Sequence, residues 1–307
     1  MSIDNCKLSI IYMGTPEFAV AGLKALVEGG YNIAAVVTMP DKPAGRGHQL
    51  QFSPVKQYAL SAGLPVLQPE KLRDPAFVEE LRSYKADLQI VTAFRMLPEA
   101  VWAMPRLGTF NLHASLLPQY RGAAPINWAV INGEHETGLT TFMLRHDIDT
   151  GDMIMQERIE IGEDEDAGSV HDRLMEKGVS LTLRTVDLIA DCDARKVPLP
   201  VVPQPETADL RPAPKIFRET CEIDFGKTAE EIRNFVRGLS PYPAAWCPLD
   251  IDGKHFDSVK VYKVQAGETK DGITVPCADG CVSITELQLP GKKRMDARSL
   301  INGLRNH

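Results

Sequence analysis

In the first 113 residues, short β-rich apolar runs alternate with amphipathic stretches of helical period, and that rhythm constrains the fold more than any other feature. Residues 8–13 are an apolar run that meets Gly14, Thr15 and Pro16, and residues 17–28 follow with helical spacing up to Gly29 and Gly30. The pattern reads as strand, turn and helix, with Thr15 as N-cap and Pro16 in the first helical position, where its missing N–H is not needed. Further strands are expected at residues 32–38, around Pro65, at 88–92 and at 108–112, with helices near 54–62 and at 75–84. Strands joined through helices cross over and pair in parallel, so the fold class is α/β, a doubly wound and mostly parallel sheet of Rossmann type.

Ser169 is expected to cap a helix whose apolar positions Val170, Leu174, Met175 and Val179 share a face, closing a first domain at about residue 195. Between 196 and 209 prolines begin to crowd the chain (Pro198, Pro200, Pro203, Pro205), which excludes a helix or central strand and reads as a linker. From 210 to 307 one helix at 228–239 precedes short strands at 245–251, 258–265, 272–276 and 281–289, with Asp252-Gly253 and Asp279-Gly280 as turns. That is the pattern of a small OB-like β-barrel. Residues 208–307 carry 15 basic against 14 acidic side chains, whereas the whole chain has a net charge of -7. The second domain is therefore the less acidic one, and a generally basic nucleic-acid binder is excluded.

No apolar run reaches the roughly 18 residues of a membrane span, and residues 1–7 lack a signal-peptide pattern. Six scattered cysteines do not make a disulfide scaffold and suit a reducing cytoplasm. Cys277 and Cys281 flank a hairpin turn and read as a cross-strand pair of free thiols, since no second pair completes a zinc site. The Gly14-Thr15-Pro16 turn lacks the GxGxxG pattern, which argues against a dinucleotide site.

Chemistry concentrates in FNLHASLLPQYRGAAP at 110–125. Asn111 and His113 leave one face of a strand near its C-terminal end, where open parallel sheets place their ligand crevice. A neutral amide beside an imidazole can hydrogen-bond a carbonyl oxygen as it becomes an oxyanion, although a buried structural histidine beside a turn asparagine gives the same pattern. Downstream, Asp147, Asp149 and Asp152 form an acidic loop between two strand-like runs, suited to proton transfer or to simple solvation. The glycine and terminal glutamate of a calcium loop are missing.

These segments together resemble the methionyl-tRNA formyltransferase family. The matches are GTPEFA at 14–19, DKPAGRG at 41–47, SPVK at 53–56, HASLLPQYRGAAP at 113–125, DTGDM at 149–153 and PGKK at 290–293, in the family's order and across nearly the whole chain. The resemblance implies a formyltransferase-like Rossmann variant that transfers the formyl group of 10-formyltetrahydrofolate to the amino group of methionyl initiator tRNA. It implies Asn111, His113 and Asp149 as the catalytic residues, with no metal and no nucleophilic serine. Ser115, Leu116, Leu117 and Pro118, with Phe94 and Leu97 opposite, would line the folate site. There Ala93-Phe94-Arg95 departs from the family's usual AYG. Lys42 and Arg46 in the loop at 41–50 would meet the RNA, with Lys215, Arg218, Lys292, Lys293 and Arg294 as phosphate contacts. A cytoplasmic monomer is expected. The rivals are a formyltransferase for a small amine, which would not need the DKPAGRG loop, and a catalytically silent RNA-binding protein, which would not need Asn111, His113 and Asp149.

Overall fold

The computed structural model describes residues 8–44 and 49–305. Contacts divide the chain into two compact units that are discontinuous in sequence. Residues up to 119, 138–158 and 172–210 belong to the first, and 120–137, 159–171 and 211 onward to the second. The proline-rich stretch at 196–209 thus groups with the first unit, where Val202 and Met153 exchange two backbone hydrogen bonds of 2.8 Å.

The chain begins with β1 (Ile10–Gly14), α1 (Glu17–Glu28), β2 (Ile33–Val37), β3 (Lys42–Ala44), β4 (Gln49–Gln51), α2 (Pro54–Ser61) and β5 (Val66–Leu67). It continues through α3 (Pro75–Ser83), β6 (Leu88–Thr92), α4 (Glu99–Trp102), β7 (Thr109–His113), α5 (Pro125–Ile131), β8 (Glu136–Met143), β9 (Met153–Glu160) and α6 (Ala167–Arg195). Seven strands form one sheet in the order β5-β2-β1-β6-β7-β8-β9, parallel from β5 through β7 and turning antiparallel at β7–β8. Strands β1 and β6 are buried at every position, as expected of strands covered on both faces, and their sequences are accordingly mostly apolar without alternation, with Gln89 and Thr92 as buried polar residues of β6.

Local chemistry sets the helix starts. Ser53 caps α2 by accepting Lys56 N–H at 3.1 Å, and Asp74 caps α3 by accepting Ala76 N–H at 3.0 Å, each followed by proline in the first turn. Two expected caps differ. Pro16, not Thr15, is the N-cap residue of α1, and the buried Thr15 hydroxyl has no partner. Helix α6 starts before Ser169, whose N–H is accepted by Asp166 at 2.9 Å, so Asp166 closes that helix end. Gly14 lets β1 turn straight into α1, since a Cβ there would collide with the Ala19 methyl.

In the second unit a 3-10 turn (Glu219–Cys221) leads to α7 (Ala229–Leu239), which Thr228 and Glu231 start with a reciprocal capping box. Strands β10 (Ala245–Ile251), β11 (Lys254–Ala266), β12 (Ile273–Cys277), β13 (Gly280–Gln288) and β14 (Met295–Asp296) make a curled antiparallel sheet, and α8 (Ala297–Arg305) follows. Its core joins Ile232, Val236 and Leu239 of α7 to Val259, Val261, Val282, Ile284 and Leu287 of the sheet. Burial pushes the Cys247 thiol up to about 12, which makes it an inert core residue. Cys277 faces Gly280 and Cys281 faces Pro276, so these two free thiols are not direct cross-strand partners.

Candidate active site

The strand order reverses between β1 and β6: the chain runs outward through β2 and β5 and then returns to the other side of β1. Loops that leave parallel strands on either side of such a reversal diverge and open a crevice at the carboxyl ends. The β6 exit at 93–98 and the β7 exit at 114–118 leave at that end, whereas the β8–β9 loop at 144–152 starts beside the amino end of β7, where Leu144 N–H bonds Thr109 O at 2.8 Å, and folds back to bring Asp149 to His113.

Asn111 and His113 lie two residues apart on β7 and so face the same way. His113 is 6% exposed and meets Phe142 edge to face, with ring centroids 6.4 Å apart. The Asn111 Oδ1 is buried and has no hydrogen-bond partner in the protein. A buried amide oxygen left unpaired costs about 1–3 kcal/mol, so such an atom marks a place reserved for a bound group.

The three loop aspartates have different surroundings. Asp147 is exposed, Asp152 is ion-paired with Arg145, and Asp149 is largely buried with Oδ2 3.9 Å from His113 Nδ1. That separation supports an electrostatic pair and is too long for a direct hydrogen bond. The loop reaches this position through two backbone features. Asp149 takes a left-handed φ of 53°, which aspartate tolerates better than most residues, and Gly151 passes so close to the Met143 carbonyl that no side chain fits.

The β7 exit is held by hydroxyl and amide groups from the neighbouring strands. Thr140 Oγ1 on β8 donates to Ser115 O at 2.7 Å and accepts Leu117 N–H at 3.2 Å. Gln156 Nε2 on β9 donates to Leu117 O at 2.9 Å and to Thr140 Oγ1 at 3.0 Å. The Ser115 hydroxyl donates to Gln119 O at 2.7 Å and is fully buried, so it closes its own loop instead of pointing at a ligand. Leu117 and Pro118 are buried as well, and Leu116 is half-buried against Gly138.

At the β6 exit, Leu97 is buried and Phe94 half-buried. Arg95 Nη1 donates to Glu70 O at 2.8 Å, and Nη2 donates to Pro69 O. The guanidinium carbon lies 5.6 Å from the Phe94 ring centre, while burial lowers the guanidinium pKa and leaves Nε without a partner. Arg95 therefore staples the loop to the segment after β5. The same segment carries Gln68, whose Nε2 donates to Asp41 Oδ1 and to Met39 O, both at 2.8 Å. Asp41 also pairs with Lys56 at 2.5 Å, and the Lys56 ammonium holds its carboxyl below the usual range. The start of the 41–50 loop is fastened this way, to Gln68 and to Lys56 of α2. Arg46 lies outside the described residues, and only the backbone of Lys42 is described, in β3.

The comparisons with known proteins now bear on this arrangement. The family described as Formyl transferase matches residues 6–186, and Formyl transferase, C-terminal domain, matches residues 215–305. The chain belongs to the formyl transferase family. It is 57% identical over 311 residues to methionyl-tRNA formyltransferase of Bacteroides thetaiotaomicron, covering 97% of this chain and 96% of that one. It is 49% identical to the enzyme of the same name from Porphyromonas gingivalis, with the same coverage. Among solved structures, an N-formyltransferase from Helicobacter canadensis in complex with folinic acid and dTDP-3-aminofucose superposes with a TM-score of 0.66. At 19% identity, over 90% of this chain and 99% of that one, it shows the fold alone.

Both family domains are thus present, and the basic residues of the second unit can be placed. Lys215 lies 5.3 Å from the Phe217 ring centre, and Arg218 lies 5.7 Å from that of Trp246. Lys292 and Lys293 are exposed. Arg294 stacks 4.3 Å above Tyr262 and binds Glu286 through two nitrogens, so a phosphate would have to compete with a carboxylate for it. No group of three or more His, Cys, Asp or Glu that could hold a metal is found among the described residues. None of the described helices is long and apolar enough to cross a membrane.

Proposed function

We propose that this chain transfers the formyl group of 10-formyltetrahydrofolate to the free amino group of methionyl initiator tRNA. The end-to-end likeness to methionyl-tRNA formyltransferases, at 49–57% identity, carries the reading, and the Asn111, His113 and Asp149 arrangement supplies its chemistry. The residues present suit a formyl donor. The Asn111 Nδ2 can donate to the formyl oxygen, its unpartnered buried Oδ1 is left to accept an N–H of the incoming amine, and Phe94 and Leu97 offer an apolar wall to a flat ring.

The donor, when bound, supplies an activated carbonyl. Asn111 and His113 then hydrogen-bond the oxygen on which negative charge gathers as the amine adds, in a water-poor site where such bonds strengthen most. Asp149 orients His113 from 3.9 Å and, through one water, takes up the proton that the attacking nitrogen must lose; the bond between the formyl carbon and the folate nitrogen then breaks, and that nitrogen leaves with a proton as tetrahydrofolate. Lys42 and Arg46, within the segment 41–50, address the acceptor end. Lys215, Arg218, Lys292 and Lys293 supply phosphate contacts, with Arg294 joining once it leaves Glu286. The free cysteines of the described residues favour a reducing cytoplasm, and two units with cores of their own favour a monomer.

The test is formyl transfer from 10-formyltetrahydrofolate to charged initiator tRNA, with free methionine and an amino sugar nucleotide as controls. Transfer to the charged tRNA alone is expected. Equal transfer to a small amine would move the protein to the small-amine formyltransferases. No transfer by a folded, folate-binding protein would leave an RNA-binding scaffold.

A further inference from the structure

The proline-rich segment at 196–209 contributes a side chain to the candidate active site that neither the family motifs nor the sequence patterns single out. Gln204 sits between Pro203 and Pro205. Its Nε2 donates to the carbonyl oxygen of Asp149 at 2.7 Å and to that of Gly151 at 2.9 Å. Both protons of one amide are therefore spent on two carbonyls that bracket Thr150, in the turn that aims the Asp149 carboxylate at His113. The backbone around Gln204 is fixed too, because Val202 pairs with Met153 at the start of β9 through two 2.8 Å hydrogen bonds. Flanking prolines cannot rotate in φ, so the side chain is presented from a stiff strap.

The turn needs such a hold. Asp149 adopts the left-handed conformation, with a φ of 53°, which is strained for an L-residue, though less so for aspartate. The Thr150 hydroxyl binds Asp147 O at 3.1 Å, inside the turn itself, and offers no anchor to the rest of the unit. The β8–β9 ladder reaches only as far as the Met143 N–H to Asp152 O bond of 3.0 Å. Gln204 continues the restraint past that last rung to Asp149.

We propose that Gln204 is a positioning residue for the formyl transfer, acting through Asp149. Its two hydrogen bonds fix the turn at 149–151 so that the carboxylate stays in register with His113. The proposal rests on the assignment of Asp149 made above.

The experiment compares Gln204→Met, Gln204→Glu and Asp149→Asn in the full-length protein by single-turnover formylation of methionyl-tRNA. Methionine fills the volume of glutamine without donors, and ionised glutamate presents only acceptors to the two carbonyls. Both variants are expected to lower the transfer rate about 10- to 100-fold, as a displacement of up to an ångström does, with KM for either substrate changed less than threefold. In the Asp149→Asn background, Gln204→Met is expected to have little further effect, because the group it positions is already lost. A folded Gln204→Met or Gln204→Glu protein within threefold of the wild-type rate overturns the proposal. So does a full additional loss in the double variant, which would make Gln204 independent of Asp149. Near-normal transfer by Asp149→Asn would instead overturn the assignment of Asp149 itself. A loss of thermal stability alone, with the rate retained, would leave Gln204 a merely structural strap and also overturns the proposal.

Discussion

Replacing Gly151 by alanine tests the geometry of the site without removing any of its chemical groups. A Cβ at position 151 would fall far inside contact distance of the Met143 carbonyl, and the Phe142 ring lies 3.2 Å away on the same side. The turn and β8 would have to separate by roughly 1.5 Å to restore ordinary van der Waals contact. Met143 cannot give way freely, since it lies in β8 and bonds Asp152 O. The turn moves instead, and Asp149, two residues upstream, moves with it from its 3.9 Å position beside His113. A misplacement of about 1 Å costs a positioned catalytic group on the order of 100-fold, or ~2.7 kcal/mol of barrier. Single-turnover formylation should therefore slow about 100-fold in Gly151→Ala, with KM for donor and tRNA within threefold. Gly253→Ala is the control. Gly253 has a φ of 74° with nothing within 4 Å of a Cβ, so its substitution should cost about 1 kcal/mol of stability and no turnover. A folded Gly151→Ala protein within threefold of the wild-type rate would refute the reasoning.

Arg95→Ala removes the staple between the β6 exit and residues 69–70, so KM for the formyl donor should rise about tenfold, ~1.4 kcal/mol, with turnover little changed; titration of donor at saturating tRNA decides it. Arg46→Ala should reduce formylation of charged tRNA more than ~10-fold and flatten the salt dependence of RNA binding by about one unit, whereas Arg46→Lys retains a plain phosphate contact but not a planar one. The Arg106 guanidinium bonds both Asp87 and Asp193 and holds the Asp193 carboxyl down at about 2. A depressed carboxylate stabilises fully above its unfolded pKa of about 3.9 and ceases to do so as pH falls through its folded value, so the melting temperature should drop between pH 4 and 2. Arg106→Ala should remove that drop in melting scans across the same range.

The strands that could be read residue by residue are those whose environment is uniform. Residues 88–92 and 245–251 begin and end as the sequence suggests, the first because both faces are covered and every position is buried. The second succeeds because burial alternates along it in register with its side chains. Strand β9, read in the sequence only as a strand-like run after the acidic loop, extends to Glu160. Gln156, Glu157, Arg158 and Glu160 are ordinary on an edge strand, but in sequence they look like the start of a loop. The proline-rich stretch misleads in the opposite direction, since proline forbids regular structure without forbidding hydrogen bonds made by the residues between.

The candidate site divides along the same physical line. Asn111 and His113 stand out in the sequence because an amide and an imidazole near a strand end are visible as letters, whereas Asp149 is singled out from Asp147 and Asp152 only by the family resemblance. The residues that hold them were not visible. Gln204, Thr140, Gln156 and Arg95 all donate to backbone carbonyls, at Asp149 and Gly151, Ser115, Leu117, and Pro69 and Glu70 respectively. A carbonyl belongs to every residue and leaves no trace in the sequence, so only the fold reveals which donor meets which acceptor. The need for such donors is nevertheless general. Loops that leave a buried sheet carry carbonyls with no strand partner, and each one left unpaired would cost about 1–3 kcal/mol. One set of bonds therefore meets two requirements: it satisfies the exit loops' backbone, and it fixes the positions from which Asn111, His113 and Asp149 act. Substitutions at Gln204, Thr140 and Gln156 should consequently lower stability and turnover together, whereas Asn111→Ala and His113→Ala, at the residues proposed to touch the reacting atoms, should lower turnover about 100- to 1000-fold while sparing the fold. Parallel melting curves and single-turnover rates across the two groups would separate them, and an Asn111→Ala protein that is folded and fast would sink the division.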